Sequence, residues 1–263
     1  MDNDTAVGVV TSAGETEVTA ATIAARSDLF MFLNLSDAAK ITTNPAGDLT
    51  QWEAVNDSTF QFVPDGGSGL TISDFGSNGG KSVDFDGAYM LKDDTTAAEP
   101  ADGTVCFLFN SQDDQLTEYY PLIDWYRWRI WVADAKLAYY GSPTLTDLSV
   151  ADNTDYMVTV RRNDAGGTFE WRLENMATGV VTTDSTGHGS NSSGTGLFNI
   201  GGNSSYSPTG TEISNLIVIE SYADADVEEC ELYLRQYYRG VAAGSTTYTA
   251  GKFVAELEIQ ASH

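Results

Sequence analysis

Basic residues are scarce in this chain. Lys and Arg total 13 against 38 Asp and Glu, a formal net charge of −25 over 263 residues. A surface of that sign repels phosphate backbones, so nucleic-acid binding is not expected. It suits a saline medium, or carboxylates that hold calcium through hard oxygen ligands. Histidine is rarer still: His188 sits in a glycine-rich loop and His263 is the last residue. Neither is placed to act as a fixed base, which argues against a Ser-His-Asp triad. Of the two cysteines, Cys106 lies in the strand-like run TVCFLFN and Cys230 in a late helical segment. Both read as buried small apolar residues rather than a disulfide, and no C-x-x-C or His-rich cluster points to zinc. Long apolar runs are also missing. The longest early one, Leu29–Leu33, is far too short to cross a bilayer, so no membrane insertion is expected. The opening Met-Asp-Asn-Asp lacks the apolar core of a secretory leader, which predicts synthesis in a cytoplasm without export.

What the chain does have is glycine, 25 residues against 6 prolines, with Ser, Thr, Asn and Asp in nearly every gap. That mix favours short strands and turns. Period-2 alternation recurs. In Ser82–Leu91, Val83 and Phe85 point one way and Asp84 and Asp86 the other. In Tyr156–Arg162, Tyr156, Val158 and Val160 share a face. Thr168–Glu174 places Phe169, Trp171 and Leu173 inward and Glu170, Arg172 and Glu174 outward. Between these two runs, Asn163 to Gly167 supply the residues a hairpin turn needs. Thr104–Asn110 is apolar on both faces, as suits a central strand. Residues 185–196 read as a low-complexity loop. About a dozen strands and no βαβ rhythm predict an all-β, antiparallel two-sheet sandwich.

One short late helix interrupts the pattern. Val227, Cys230, Leu234 and Tyr237 recur at helical spacing, and acids gather at its start with Arg235 and Arg239 near its end. Asp226 reads as the N-cap, with Glu229 in the reciprocal capping-box position. Residues 1–29 then form an N-terminal arm, 30–240 the sandwich, and 241–263 a C-terminal strand segment.

Three segments in this order resemble the concanavalin A-like lectin/glucanase superfamily, in its laminin G-like branch as found in phage structural proteins. Phe30–Trp52 (FMFLNLSDAAKITTNPAGDLTQW) resembles the opening of such domains, and Ser82–Leu91 (SVDFDGAYML) the F-D-G strand that follows. Leu197–Tyr238 resembles the close: a glycine pair, a core-facing strand, and an acidic helix ending in Tyr-Leu-x-x-Tyr-Tyr. The resemblance implies a jelly roll of two curved antiparallel sheets, and binding of glycans or protein surfaces rather than a fixed chemistry.

Catalysis is not expected. The Glu-x-Asp-x-x-Glu strand of jelly-roll glucanases is missing from the sequence. Glu170 and Glu174 share a face, but at ~3.3 Å per residue they stand about 13 Å apart, too far for a retaining pair. The binding candidates lie in Leu122–Ala133 (LIDWYRWRIWVA), read as a single strand. Its alternation puts Trp125, Arg127, Arg129 and Trp131 on one face, opposite Tyr126, Trp128, Ile130 and Val132. Rings stack on sugars and guanidiniums fork onto carboxylates. The same residues equally suit packing under loops, or a subunit interface. For calcium the nearest acidic group is Asp84, Asp86, Asp93 and Asp94, which also read as solvated loop acids. The expected setting is a virion surface: a capsid decoration or tail accessory subunit, homo-oligomeric, touching other virion proteins and a surface glycan. A carbohydrate-binding adhesin module is the alternative, and a glycoside hydrolase or lyase the next.

Overall fold

The computed structural model describes residues 17–65, 70–76, 80–85, 90–93, 99–111, 120–125, 128–139, 144–163, 165–187, 198–202 and 211–239. They form seventeen strands in two sheets, and every pairing between them is antiparallel. The first sheet runs β15 (Val181–Gly187), β14 (Thr168–Asn175), β13 (Thr154–Asn163), β8 (Gly103–Ser111), β17 (Thr211–Ile219), β6 (Gly80–Phe85) and β5 (Thr71–Phe75), with β1 (Leu29–Leu33) also paired to β17. The second runs β12 (Thr144–Ser149), β11 (Lys136–Tyr139), β10 (Trp128–Ala133), β9 (Tyr120–Trp125), β16 (Phe198–Ile200), β7 (Leu91–Asp93), β4 (Gln61–Pro64), β3 (Leu49–Glu53) and β2 (Ile41–Thr43). This is the jelly-roll sandwich that the alternation and the resemblance predict. Two helices join it: α1 (Ala20–Ala24) and the late α2 (Asp224–Arg239).

The core lies between the sheets. Val83 and Phe85 of β6, and Phe169, Trp171 and Leu173 of β14, all point into it, as their spacing requires. Trp52, Phe62, Phe107, Phe109, Trp125 and Trp128 complete it, each contributing about 1.5–3 kcal/mol or more by leaving water. The β13–β14 hairpin turns where expected: Asn163 Oδ1 accepts the Gly166 N–H at 2.8 Å, and Gly167 has φ +64°. Residues 185–187, read as loop, instead extend β15, because Ser185 and Thr186 pair with Glu170 and Phe169.

The first sheet is buried on its other face too. Cys106, Leu108, Met157, Ile217 and Ile219 lie beneath Val227, Cys230, Tyr233, Leu234 and Tyr238 of α2. This explains why Thr104–Asn110 is apolar on both sides: one face meets the second sheet and the other meets a helix. Both cysteines belong to this layer as free thiols, and burial pushes the Cys230 thiol up to about 12.

The compact unit that holds the sandwich begins at Val18 and runs to Gly240. Met1–Glu17 and Val241–His263 form a separate unit, and nearly all of it lies outside the described residues, including the strands expected after residue 240. Residues 18–28, from the segment read as an arm, pack against α2. The Val18 N–H donates to the Gln236 side-chain oxygen at 3.0 Å, and Ile23 is fully buried.

The start of α2 differs from the capping expectation. The helix opens at Asp224, and the N–H groups of Asp226 and Val227 both reach the Ala223 carbonyl. Asp226 therefore lies inside the first turn. Its carboxylate accepts from Ser221 Oγ at 2.6 Å and from Arg26 at 2.7 Å, and Glu229 also pairs with Arg26. The arginine after α1 outcompetes the helix's own backbone for both acids.

Two predictions follow from these contacts. Gly201 has φ +74°, and a Cβ there would sit 2.3 Å from the Phe85 ring. Gly201→Ala combines left-handed strain with overpacking and should destabilise the fold by about 2–4 kcal/mol in urea titration. The hydrogen bonds from Ser221 and Arg26 hold the Asp226 carboxyl below its ordinary 3.8. A depressed folded-state pKa contributes stability that is complete above the unfolded value and lost as pH falls through the folded one. Asp226→Asn should therefore be less stable than wild type at neutral pH. The difference should close below about pH 3.8, as followed by thermal melts across the acid range.

Candidate functional site

The aromatic stretch is a hairpin rather than one strand. Trp125 closes β9 and Trp128 opens β10, paired to each other. The chain reverses between them, so the alternation read across Leu122–Ala133 does not carry through. Trp125 points into the core and stacks on Phe198 at 4.6 Å with planes 3° apart. Trp128 is also inside, donating its indole N–H to the Pro100 carbonyl at 3.3 Å. Arg129 and Trp131 share the outer face of the second sheet; Arg129 faces Asp124 at 3.4 Å, and Trp131 is buried with Ala133 and Ala138. Trp125 thus parts from Arg129 and Trp131, and Arg127 lies outside the described residues.

The acidic group separates as well. Asp84 is on β6 of the first sheet, opposite Thr71 and Glu212. Asp93 is on β7 of the second sheet, between Phe62 and Phe198 and 1% exposed. Asp86 and Asp94 lie outside the described residues. Among the described residues no group of three His, Cys, Asp or Glu is arranged to hold a metal ion.

A groove of about 510 Å3 opens instead on the outer face of the first sheet, beside α2. That is within the range of small-ligand sites, ~300–1,000 Å3. Strand register builds it. Thr159 of β13 stands opposite Arg172 of β14, which stands opposite Thr183 of β15. Two residues along, Arg161, Glu170 and Ser185 form a second row on the same face. Trp171 and Asp184 border it. Trp171 is only 1% exposed, with its indole N–H given to Thr186 at 2.8 Å, so it offers no stacking platform. Asp184 Oδ2 accepts the Asp147 N–H at 2.7 Å, tying β15 to β12 of the other sheet.

Helix α2 lies alongside and supplies the charge partners of the groove's arginines. Arg161 meets Asp224 at 2.5 Å and Glu170 at 3.9 Å. Glu231, fully buried, accepts from Thr159 Oγ1 at 2.8 Å and pairs with Arg172 at 3.1 Å and Arg235 at 3.0 Å. Arg235 also forks onto Glu174, its Nη2 donating to Oε2 at 2.7 Å and its Nε to Oε1 at 3.1 Å. Its guanidinium is held above its ordinary pKa by Glu174 and Glu231, against the opposing pull of burial. The groove therefore presents N–H donors, hydroxyls and carboxylate acceptors, which can hold a polyhydroxylated ligand by hydrogen bonds. Alternation marked Glu170, Arg172 and Glu174 as outward. Their convergence with Thr159, Thr183 and α2 depends on pairings between segments far apart in sequence, which periodicity does not reveal.

No family model matches the chain, and no curated protein matches it in sequence. Solved structures do match in fold. Domain 4 of a GH43 extracellular arabinanase from Geobacillus stearothermophilus, solved with arabinotriose, superposes with a TM-score of 0.53 at 13% identity, over 78% of this chain and 98% of that domain. The receptor-binding domain of botulinum neurotoxin D gives 0.51 at 10% identity, over 78% of this chain and 52% of that one. A Trypanosoma rangeli sialidase mutant with trans-sialidase activity gives 0.51 at 15% identity, over 87% and 35%. The chain thus spans about half of the neurotoxin domain and about a third of the sialidase. At such identities the likeness establishes the sandwich, in agreement with a lectin-like fold.

The buried ion pairs hold α2 on the sheet beside the groove. Glu231→Ala would leave Arg172 and Arg235 facing each other across a vacated site, at a cost of about 3–5 kcal/mol. Chemical denaturation at neutral pH measures it. Replacing Glu231 and Arg235 together by Leu should cost less than the sum of the single changes, because each single change leaves the other as a buried charge without that partner.

Proposed function

We propose that this chain is a non-enzymatic recognition subunit that holds a glycan in the groove over β13, β14 and β15. The observation that carries the reading is the double row Thr159–Arg172–Thr183 and Arg161–Glu170–Ser185 beside α2. It gathers alternating donors and acceptors on one rigid sheet face, the arrangement that sugar hydroxyls require. A binding role is preferred to catalysis because Glu231 spends both oxygens on Thr159, Arg172 and Arg235, leaving it no part in proton transfer. The setting we propose is a virion surface, as a capsid decoration or tail accessory subunit among other virion proteins. The laminin G-like resemblance of the three sequence segments supports that setting, and the acidic balance is consistent with a partner other than nucleic acid.

A second reading, a carbohydrate-binding module of a larger secreted system, is favoured by one observation. The same sandwich constitutes domain 4 of an arabinanase almost in full, 98% of that domain being covered. Co-sedimentation with purified virions separates the two. Virion display requires the subunit on the particle; a chain that stays free and monomeric while binding glycans selects the module reading.

The groove itself is tested on a glycan array. Specific hits are expected, and Glu170→Ala with Ser185→Ala should weaken them at least about tenfold, roughly 1.4 kcal/mol or more for the lost hydrogen bonds. Both side chains are exposed, so the fold should be unaffected. Unchanged binding by this double variant would remove the groove from consideration.

A further inference from the structure

We infer that the groove selects uncharged glycans and rejects those bearing carboxylate or sulfate groups. The inference rests on the glycan reading above and adds the class of sugar.

The groove contains arginines, which at first sight suggest an anionic ligand. Their surroundings argue the reverse. Two guanidiniums, Arg161 and Arg172, face three carboxylates: Glu170 in the lining, with Asp224 and Glu231 on the adjacent helix. Each guanidinium is already engaged. Arg161 lies between Asp224 and Glu170, and Arg172 is joined to Glu231. An anionic sugar would have to displace one of these acids. Glu231 cannot yield, since it is fully buried and its two oxygens also serve Thr159 and Arg235. Asp224 is mostly exposed, but the first turn of α2 holds its backbone beside Arg161. The field of the whole chain acts in the same sense, with a net charge of −25 extending the repulsion beyond the groove.

Nor does an exposed aromatic face offset that repulsion among the described residues. Trp171, which borders the groove, is packed into the core. The ligand is held by the edges of its rings, through hydroxyls that can donate to Glu170 and accept from Arg161, Thr183 and Ser185. Sugar hydroxyls serve both roles without carrying charge, and a carboxylate can only accept.

Isothermal titration of the full chain with a matched pair of oligosaccharides, glucose-terminated and glucuronate-terminated, tests the inference. At low salt the neutral sugar should bind at least about tenfold more tightly, and the gap should narrow at physiological ionic strength as screening shortens the field. Asp224→Asn, which removes the exposed competitor for Arg161, should narrow the gap at low salt. Equal or tighter binding of the glucuronate sugar overturns the charge selection and leaves glycan recognition standing. Failure of both sugars to bind, together with a blank neutral array, overturns the two together.

Discussion

A carboxylate buried on the outside of a β-sheet constrains much of this molecule. Glu231 leaves water entirely when α2 docks, and an isolated buried charge costs far more than a small domain can spare. The cost is met only if Thr159 on β13, Arg172 on β14 and Arg235 on the helix all reach it at once. That requirement fixes the rotation of α2 about its axis and its position along the sheet. The apolar contacts of Val227, Cys230 and Leu234 supply the driving force, but such contacts tolerate sliding and repacking. The charged ones do not, because a shift of one residue would part Glu231 from Arg172 and Arg235 from Glu174.

The position of α2 in turn sets the charges beside the groove. Asp224, at the first turn, lies against Arg161, and Glu231, two turns later, against Arg172. The helix therefore anchors itself through residues that also balance the arginines of the groove. Arg26 anchors the other side of the same helix end through Asp226 and Glu229, so α2 is held at its start from two directions.

Much of the sandwich was legible in the sequence. β13 and β14 announce themselves through strict alternation and a turn with the right residues. The helix shows through Val227, Cys230 and Leu234. The doubly apolar β8 was legible as a central strand, although the reason it is apolar on its outer face, the helix above it, was not. Three things escaped. The reversal between Trp125 and Trp128 was hidden because aromatic residues continue without a break across it, and alternation counts residues without sensing a turn. The cap of α2 was misplaced because Asp226 and Glu229 have the spacing of a capping box, while the arginine that claims them lies some two hundred residues earlier. The groove could not be read at all: Thr159, Glu170 and Ser185 become neighbours only once the strand register is known.

The misplaced cap has a physical origin that bears on the arginines of the groove. In a chain with so few cations, each one has several acids within reach, and local sequence does not say which it takes. Arg26 takes two acids from the helix start, and Arg172 and Arg235 share one buried acid between them. Cations committed in this way are structural first. They retain N–H groups that can point at a ligand, but their charge is already balanced by the protein itself. On the proposed glycan reading, a groove built around them works through the geometry of its donors and acceptors, with little net attraction for an anion. The scarcity of basic residues that argues against nucleic acid at the level of composition thus acts again at the level of the site.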